Sequence, residues 1–319
     1  MQRATLLSLG SINADFQVRI EQPPGSREMQ LATGFRRFSG GKASNTAWLA
    51  AHFGHRSQLL GRVGDDDLAE QALGPLRESG VEIAAVSRAP AQATGVAMIM
   101  VPPDGKKYIV LATNANDCWD QAAVDGMREV IARAPMPAGL VLNYEIPPEV
   151  ARQALMSACA RGMPAVLDPS FPERVEHDLL DGLFAITPNL SEAGSLVGFP
   201  IDSLEQAAHA ARRLREAGVA IACLKLDDGG CVLDCGQGAL HIPGGAVEPV
   251  DTAGAGDAFT GILAIALLEG REPPEAASWA VAAANIAVTG YGSQPAYPPR
   301  AHVLASAARL LRKARCLDG

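Results

Sequence analysis

Short apolar runs alternate with longer stretches of helical periodicity along most of this chain, and that alternation restricts the fold most. Thr5–Leu9, Leu140–Asn143, Ala165–Asp168, Phe184–Thr187 and Ala220–Leu226 have the length and apolar character of buried strands. Helical patterns near Pro148–Arg161, Ser191–Val197 and Leu204–Ala217 lie between them. This alternation builds a mostly parallel sheet covered by helices on both faces, an α/β architecture. Lys42–His52, Asp66–Ser79, Asp257–Leu268, Glu275–Val288 and Ala301–Ala314 read as further helices, and Ser57–Gly61 as a short strand. Gly230–Asp234 and Ala239–Ile242 suit an antiparallel pair.

Two regions break the pattern. Asp15–Ile20 and Met29–Phe38, separated by Pro23-Pro24-Gly25, alternate polar with apolar residues as exposed antiparallel strands do. Thr94–Val101 leads through Pro102-Pro103-Asp104-Gly105 into Lys106–Leu111, a hairpin. With no repeat or long linker, the expected organisation is one domain over residues 1–319 with a small β appendage. Hydrophobic residues at 48% supply an ample core. A net charge of −8 without a basic tract argues against nucleic acid as a partner. No apolar run approaches the roughly 20 residues of a membrane span. The start, Met1–Gly10, is too short and too quickly polar for a signal peptide and reads as a first strand. Six cysteines lack a CxxC pair, and Cys231 and Cys235 have no histidine at zinc-ligand spacing. Reduced thiols and a cytoplasmic location are the expectation.

Chemistry concentrates in Asp251-Thr252-Ala253-Gly254-Ala255-Gly256-Asp257, a small-residue loop feeding a helix. Gly254 and Gly256 permit close approach, and the first helical turn offers free N–H donors to an anion. Asp257 beside such a hole suits phosphoryl transfer to a hydroxyl. An ordinary glycine turn capped by Asp257 suits these seven residues equally. Further polar clusters fall where doubly wound sheets bind ligands, beyond strand ends. They are Ser11–Asp15, Ser39–Asn45, Asn143–Glu145, Asp168-Pro169 and Thr187–Glu192. Each has a plain reading: a solvated strand residue for Asp15, a bare turn for Gly40-Gly41, surface for Glu145, a capping box for Asn189 and Glu192. Two familiar phosphate motifs fail. A Walker loop would need Ser or Thr where Ala43 stands and Gly where Arg36 stands. A dinucleotide fingerprint would need glycine at Phe259, which removes a nicotinamide-dependent oxidoreductase.

Asp251–Phe259 closely resembles the carboxy-terminal signature of the ribokinase-like (PfkB-type) carbohydrate kinases, and Phe38–Asn45 resembles their Gly-Gly signature. Ser11–Asp15, Thr94–Ala97, Ile186–Asn189, Ile286–Thr289 and Gln294-Pro295 are similar to further family stretches, nearest to its ribokinase branch. The likeness runs in matching order from about residue 8 to residue 300. It implies a three-layer α/β/α domain with a small β-sheet lid from about 15–38 and 94–112, which in the family often forms a homodimer contact. It implies ATP-dependent phosphorylation of a sugar's primary hydroxyl, ribose first. A nucleoside kinase, a fructokinase and, from another class, a non-catalytic sugar-binding relative are the alternatives.

By the same resemblance Asn13, Asp15, Gly41, Lys42, Asn45 and Glu145 hold the sugar, and Asp257 is the catalytic base. Gly254, Ala255 and Gly256 form the anion hole. Asn189 and Glu192 support Mg²⁺ and phosphate through water. Lys225, Asp227 and Gly230, with Gly256 and the helix near Val281, run along ATP. A K⁺ site of mostly backbone carbonyls falls on Asp251, Ala253, Ala287, Gly290, Gly292 and Ala296. Ala296 departs from the family's serine, and Gly290-Tyr291 replaces a basic pair. Phe16, Phe35 and Trp119 are the aromatic residues that could stack a nucleoside base or pack in the core and lid.

Overall fold

The computed structural model of the protein describes residues 4–25 and 29–317; Met1–Arg3 of the amino-terminal stretch lie outside the described residues. Its strands in chain order are β1 (Thr5–Leu9), β2 (Asn13–Ile20), β3 (Ala32–Gly40), β4 (Arg56–Gly64), β5 (Val86–Ala89), β6 (Gly95–Val101) and β7 (Tyr108–Ala112). They continue with β8 (Ala138–Asn143), β9 (Ala165–Asp168), β10 (Ala185–Ile186), β11 (Ile221–Lys225), β12 (Cys231–Asp234), β13 (Ala239–Ile242) and β14 (Arg315–Cys316). The main sheet has the order β14-β13-β12-β11-β10-β9-β8-β1-β4-β5. From β11 to β5 every pairing is parallel, and β12 to β14 add an antiparallel edge.

The pleat divides the core into two layers. Leu7, Leu9, Leu140, Leu142 and Leu167 point one way, toward Met127 and Ile131 of the helix Gln121–Arg133 and toward the Pro148–Cys159 and Leu204–Glu216 helices. Their neighbours Leu6, Val141 and Val166 point the other way, onto the helices Lys42–His52, Ala255–Leu268, Pro273–Ala287 and Arg300–Leu311. Side chains alternate along a strand, so a buried parallel strand must be apolar at every position.

A separate sheet has the order β3-β2-β6-β7, with β2 and β6 parallel and the other two pairs antiparallel. Here the expectation of an exposed strand at Asp15–Ile20 is corrected. β2 lies between two partners, and Asp15, Gln17 and Ile20 are buried. Polar residues point inward because that face roofs a cavity. The hairpin Pro102–Gly105 lays its tip on the main body, where Thr252 N and Oγ1 both donate to the Gly105 carbonyl at 3.1 Å. The sequence reading passed over the helix Gln121–Arg133 and the strands β5 and β14. Only Met127 and Ile131 of that helix are fully covered, so its apolar stripe is narrow.

Candidate active site

The Ala255–Leu268 helix starts directly after Gly254, whose φ is 73°. A Cβ there would stand 2.5 Å from Ser293 Cβ, so only glycine turns the chain into the helix at this point. The reading of Asp257 as a cap is corrected: Gly254 is the capping residue, and no side chain caps this helix. Asp257 lies in the first turn, where the helix dipole favours its charge. Its Oδ2 accepts from Asn45 Nδ2 at 2.6 Å, and its Oδ1 lies 3.3 Å from Lys42 Nζ.

A cavity of about 670 Å³ opens in front of this turn. Asn13, Asp15, Gly41, Lys42, Asn45 and Glu145 line it, and Ala97, Ile99, Ile109 and Leu111 of the small sheet roof it. Asn189, Glu192, Lys225 and Asp227 line it as well, with Ala253 to Asp257. A second cavity, of about 420 Å³, runs past Gly229, Gly230, Ala284, Asn285 and Val288. The two share Lys225, Asp227, Thr252, Ala255 and Gly256. A ligand filling both would therefore cross the helix start. Val281 is the exception among the expected positions. It is buried in the core and its carbonyl accepts from Asn285 Nδ2, while residues one turn on face the cavity. Phe16 stacks on Phe35 and Trp119 donates to the Asn116 carbonyl, and none of the three lines the first cavity.

Charge is dense. Burial, with Asp257 and Glu145 nearby, holds the Asp15 carboxyl well above the usual range, and Asp15 Oδ1 is buried with no partner. Burial also raises Glu145, against the opposing pull of Lys42 and Ser11; Ser11 Oγ donates to Glu145 Oε2 at 2.5 Å. Burial works against the Lys42 ammonium, but Asp168, Asp257 and Glu145 outweigh it and hold the group charged. Asp168 is the hub of the cations, 3.3 Å from Lys42 Nζ and 3.0 Å from Lys225 Nζ. Burial raises its carboxyl, but the two lysines win and hold it below the usual range. Burial pushes the Lys107 ammonium down, and its Nζ donates to the Thr252 carbonyl at 2.9 Å. Asn189 and Glu192 form a reciprocal capping box, with both bonds 2.8 Å.

Asp251 is fully buried and accepts only from neutral donors: Ala253 N at 2.8 Å, Gly292 N at 2.9 Å and Gln17 Nε2 at 2.5 Å. It makes no ion pair among the described residues. Ala287 and Gly290 are joined by a 3.2 Å backbone bond, and a Cβ on Gly290 would meet Ala296 at 2.6 Å. Asp251 N donates to the Val288 carbonyl at 3.2 Å, so the six residues expected around potassium belong to one knot where the end of the Pro273–Ala287 helix meets two loops. Gln17, Lys107 and Gln294 carry no role in the sequence reading, nor does Phe171, which lines the first cavity, and Asp168 is named there only as part of a polar cluster at a strand end. Gln17 on β2 and Lys107 before β7 sit in local patterns that give no sign of a buried contact.

Comparison with known proteins gives the family. The pfkB family carbohydrate kinase model matches residues 3–300. A ribokinase from Arabidopsis thaliana is 32% identical over 94% of this chain and 80% of its own length. A deoxyribokinase from Salmonella typhi is 29% identical over 91% of this chain and 94% of its own. The solved structure of Arabidopsis thaliana ribokinase complexed with ribose and ATP superposes with a TM-score of 0.81 at 28% identity, covering 96% of this chain and 99% of that one. The chain belongs to the pfkB family of carbohydrate kinases and is an ATP-dependent sugar kinase.

Proposed function

We propose that this kinase phosphorylates the primary hydroxyl of ribose, giving ribose 5-phosphate, with Asp257 as base and residues 254–256 as anion hole. One observation carries the reading: Asp257 stands in a helix first turn between a polar pocket and a second cleft that opens over that turn. The sugar belongs between Asn13, Asp15, Lys42, Asn45 and Glu145, whose amides and carboxylates make directional bonds to hydroxyls. The unpartnered Asp15 Oδ1 suits a hydroxyl donor. ATP belongs across Lys225, Asp227 and Gly230, toward Asn285. An aspartate is too weak a base to ionise an alcohol beforehand. Asp257 therefore takes the proton as the hydroxyl attacks the γ-phosphoryl and the bond to the β,γ-bridging oxygen breaks to release ADP, and the Ala255 and Gly256 N–H groups meet the developing charge.

Magnesium bound with the nucleotide neutralises phosphate charge. No group of three or more His, Cys, Asp or Glu able to hold a metal occurs among the described residues. Glu192 and Asp227 as hard oxygen donors at the cavity suit an ion held mainly by phosphate and water. Potassium fits the Asp251 knot, because this buried carboxylate hydrogen-bonds only to neutral partners and has no cation in direct contact among the described residues. Asp251 and the carbonyls of Ala253, Ala287, Gly290, Gly292 and Ala296 would hold it.

Assays over ribose, deoxyribose, fructose and nucleosides test the substrate, and turnover on nucleosides alone would overturn it. Asp257→Asn is expected to cut kcat roughly 10²–10⁴-fold with ATP binding retained. The small sheet serves as the lid in this reading. Its outer face exposes Phe35, Met98 and Val110, and a second copy of the chain covers it. Sedimentation should give a dimer that Met98→Asp splits.

A further inference from the structure

We propose that Gln294 is a positioning residue that fixes which end of the Asn45 amide faces Asp257, through a hydrogen-bond relay anchored on a backbone carbonyl. This rests on Asp257 being the base. An amide side chain presents a donor at one end and an acceptor at the other, so its orientation is a chemical choice that some neighbour must settle. Toward Asp257 only the donor end serves. Asn45 Nδ2 donates to Asp257 Oδ2 at 2.6 Å, whereas its oxygen there would repel the carboxylate.

The choice is made outside the cavity. The Ala72 carbonyl can only accept, and it takes the Ser39 hydroxyl proton at 2.7 Å. Ser39 Oγ, its proton spent, can then only accept from Gln294, which it does from Nε2 at 3.2 Å. That sets the Gln294 amide, and Nε2 gives its second proton to Asn45 Oδ1 at 3.1 Å. With its oxygen engaged there, Asn45 must turn Nδ2 to Asp257. Ser39, Asn45 and Gln294 are all buried, so no bulk water competes for these groups. Every link has one permitted direction, starting from a carbonyl that cannot reverse.

Three variants test this. In Gln294→Met the side-chain volume is kept and the polarity lost, so Asn45 is free to turn. In Ser39→Ala the anchor is lost, although the Ser39 hydroxyl bonds to the Ala72 carbonyl and Gln294 rather than to Asn45 or Asp257. Both should lower kcat on the sugar about 10-fold while KM for ATP stays within about twofold of wild type. The double variant should be no slower than Gln294→Met alone, because both changes release one relay. Additive losses, a wild-type kcat in either single variant, or a loss confined to KM for ATP would each overturn the relay. Asp257→Asn run beside them separates the two readings. If that variant turns over normally, the base assignment has failed, and if it is inactive while Gln294→Met is normal, only the relay has.

Discussion

Asp168 ends β9 between two lysines that other parts of the chain deliver. Lys42 opens a helix next to the small sheet and Lys225 ends β11, and both ammonium groups lie on one carboxylate. Thr260 Oγ1 adds a 3.1 Å bond from the helix that carries Asp257. Removing one partner of a buried ion pair leaves the rest uncompensated. Asp168→Asn should therefore cost about 3–5 kcal/mol of unfolding free energy without nucleotide, and less with ATP, whose phosphates would supply the missing negative charge. Denaturant titration with and without ATP checks it, and an equal loss in both conditions would refute the electrostatic account. At this scale the sequence was partly legible. Asn13, Asp15, Lys42, Asn45, Glu145 and Asp257 do share one cavity. Asp168 showed its place at a strand end and nothing more, because its partners are set by crossovers that only the folded sheet brings together.

Elements with one clear role were legible nearly to the residue. Lys42–His52 and Ala165–Asp168 occur as read, since the first is rich in small residues and the second is buried on both faces. β2 was misjudged for the opposite reason. It serves as roof and neighbour at once, so Gln17 looks like a solvated residue and is instead buried on Asp251. That contact ties the small sheet to the start of the anion loop. The knot around Asp251 holds Ala253 N and Gly292 N in place, so a cation that neutralises it would stiffen the loop bearing Gly254. Potassium in place of tetramethylammonium should raise both kcat and the melting temperature of the nucleotide-free protein. Asp251→Asn should lose both responses. A wild-type melting temperature indifferent to potassium would remove the cation from this site.

Across the whole molecule, the Ala255–Leu268 helix runs along one face of the sheet and carries its far end roughly 20 Å from the turn that holds Asp257, at 1.5 Å per residue. Its other end carries Glu269, an acid at the negative pole of the helix, where a carboxylate alone would be unfavourable. Two elements compensate it. Arg300, the first residue of the last long helix, makes two 2.6 Å bonds to the carboxylate, and His55, before β4, lies 2.8 Å away. Burial raises Glu269, but Arg300 and His55 outweigh it and bring the carboxyl down to about 2. A carboxyl whose value falls on folding stabilises the fold above its unfolded value of about 4.5, and loses that contribution as pH falls toward 2. The shift corresponds to about 3 kcal/mol. Glu269→Gln should therefore be less stable than wild type at pH 7 by an amount of that order. The gap should close between pH 4.5 and 2, while kcat at neutral pH and low temperature stays near wild type, because the pair lies at the opposite end of the helix from Asp257. Urea unfolding of both proteins across that range decides it, and a gap that stays constant down to pH 2 would mean that packing, not charge, holds the three elements together.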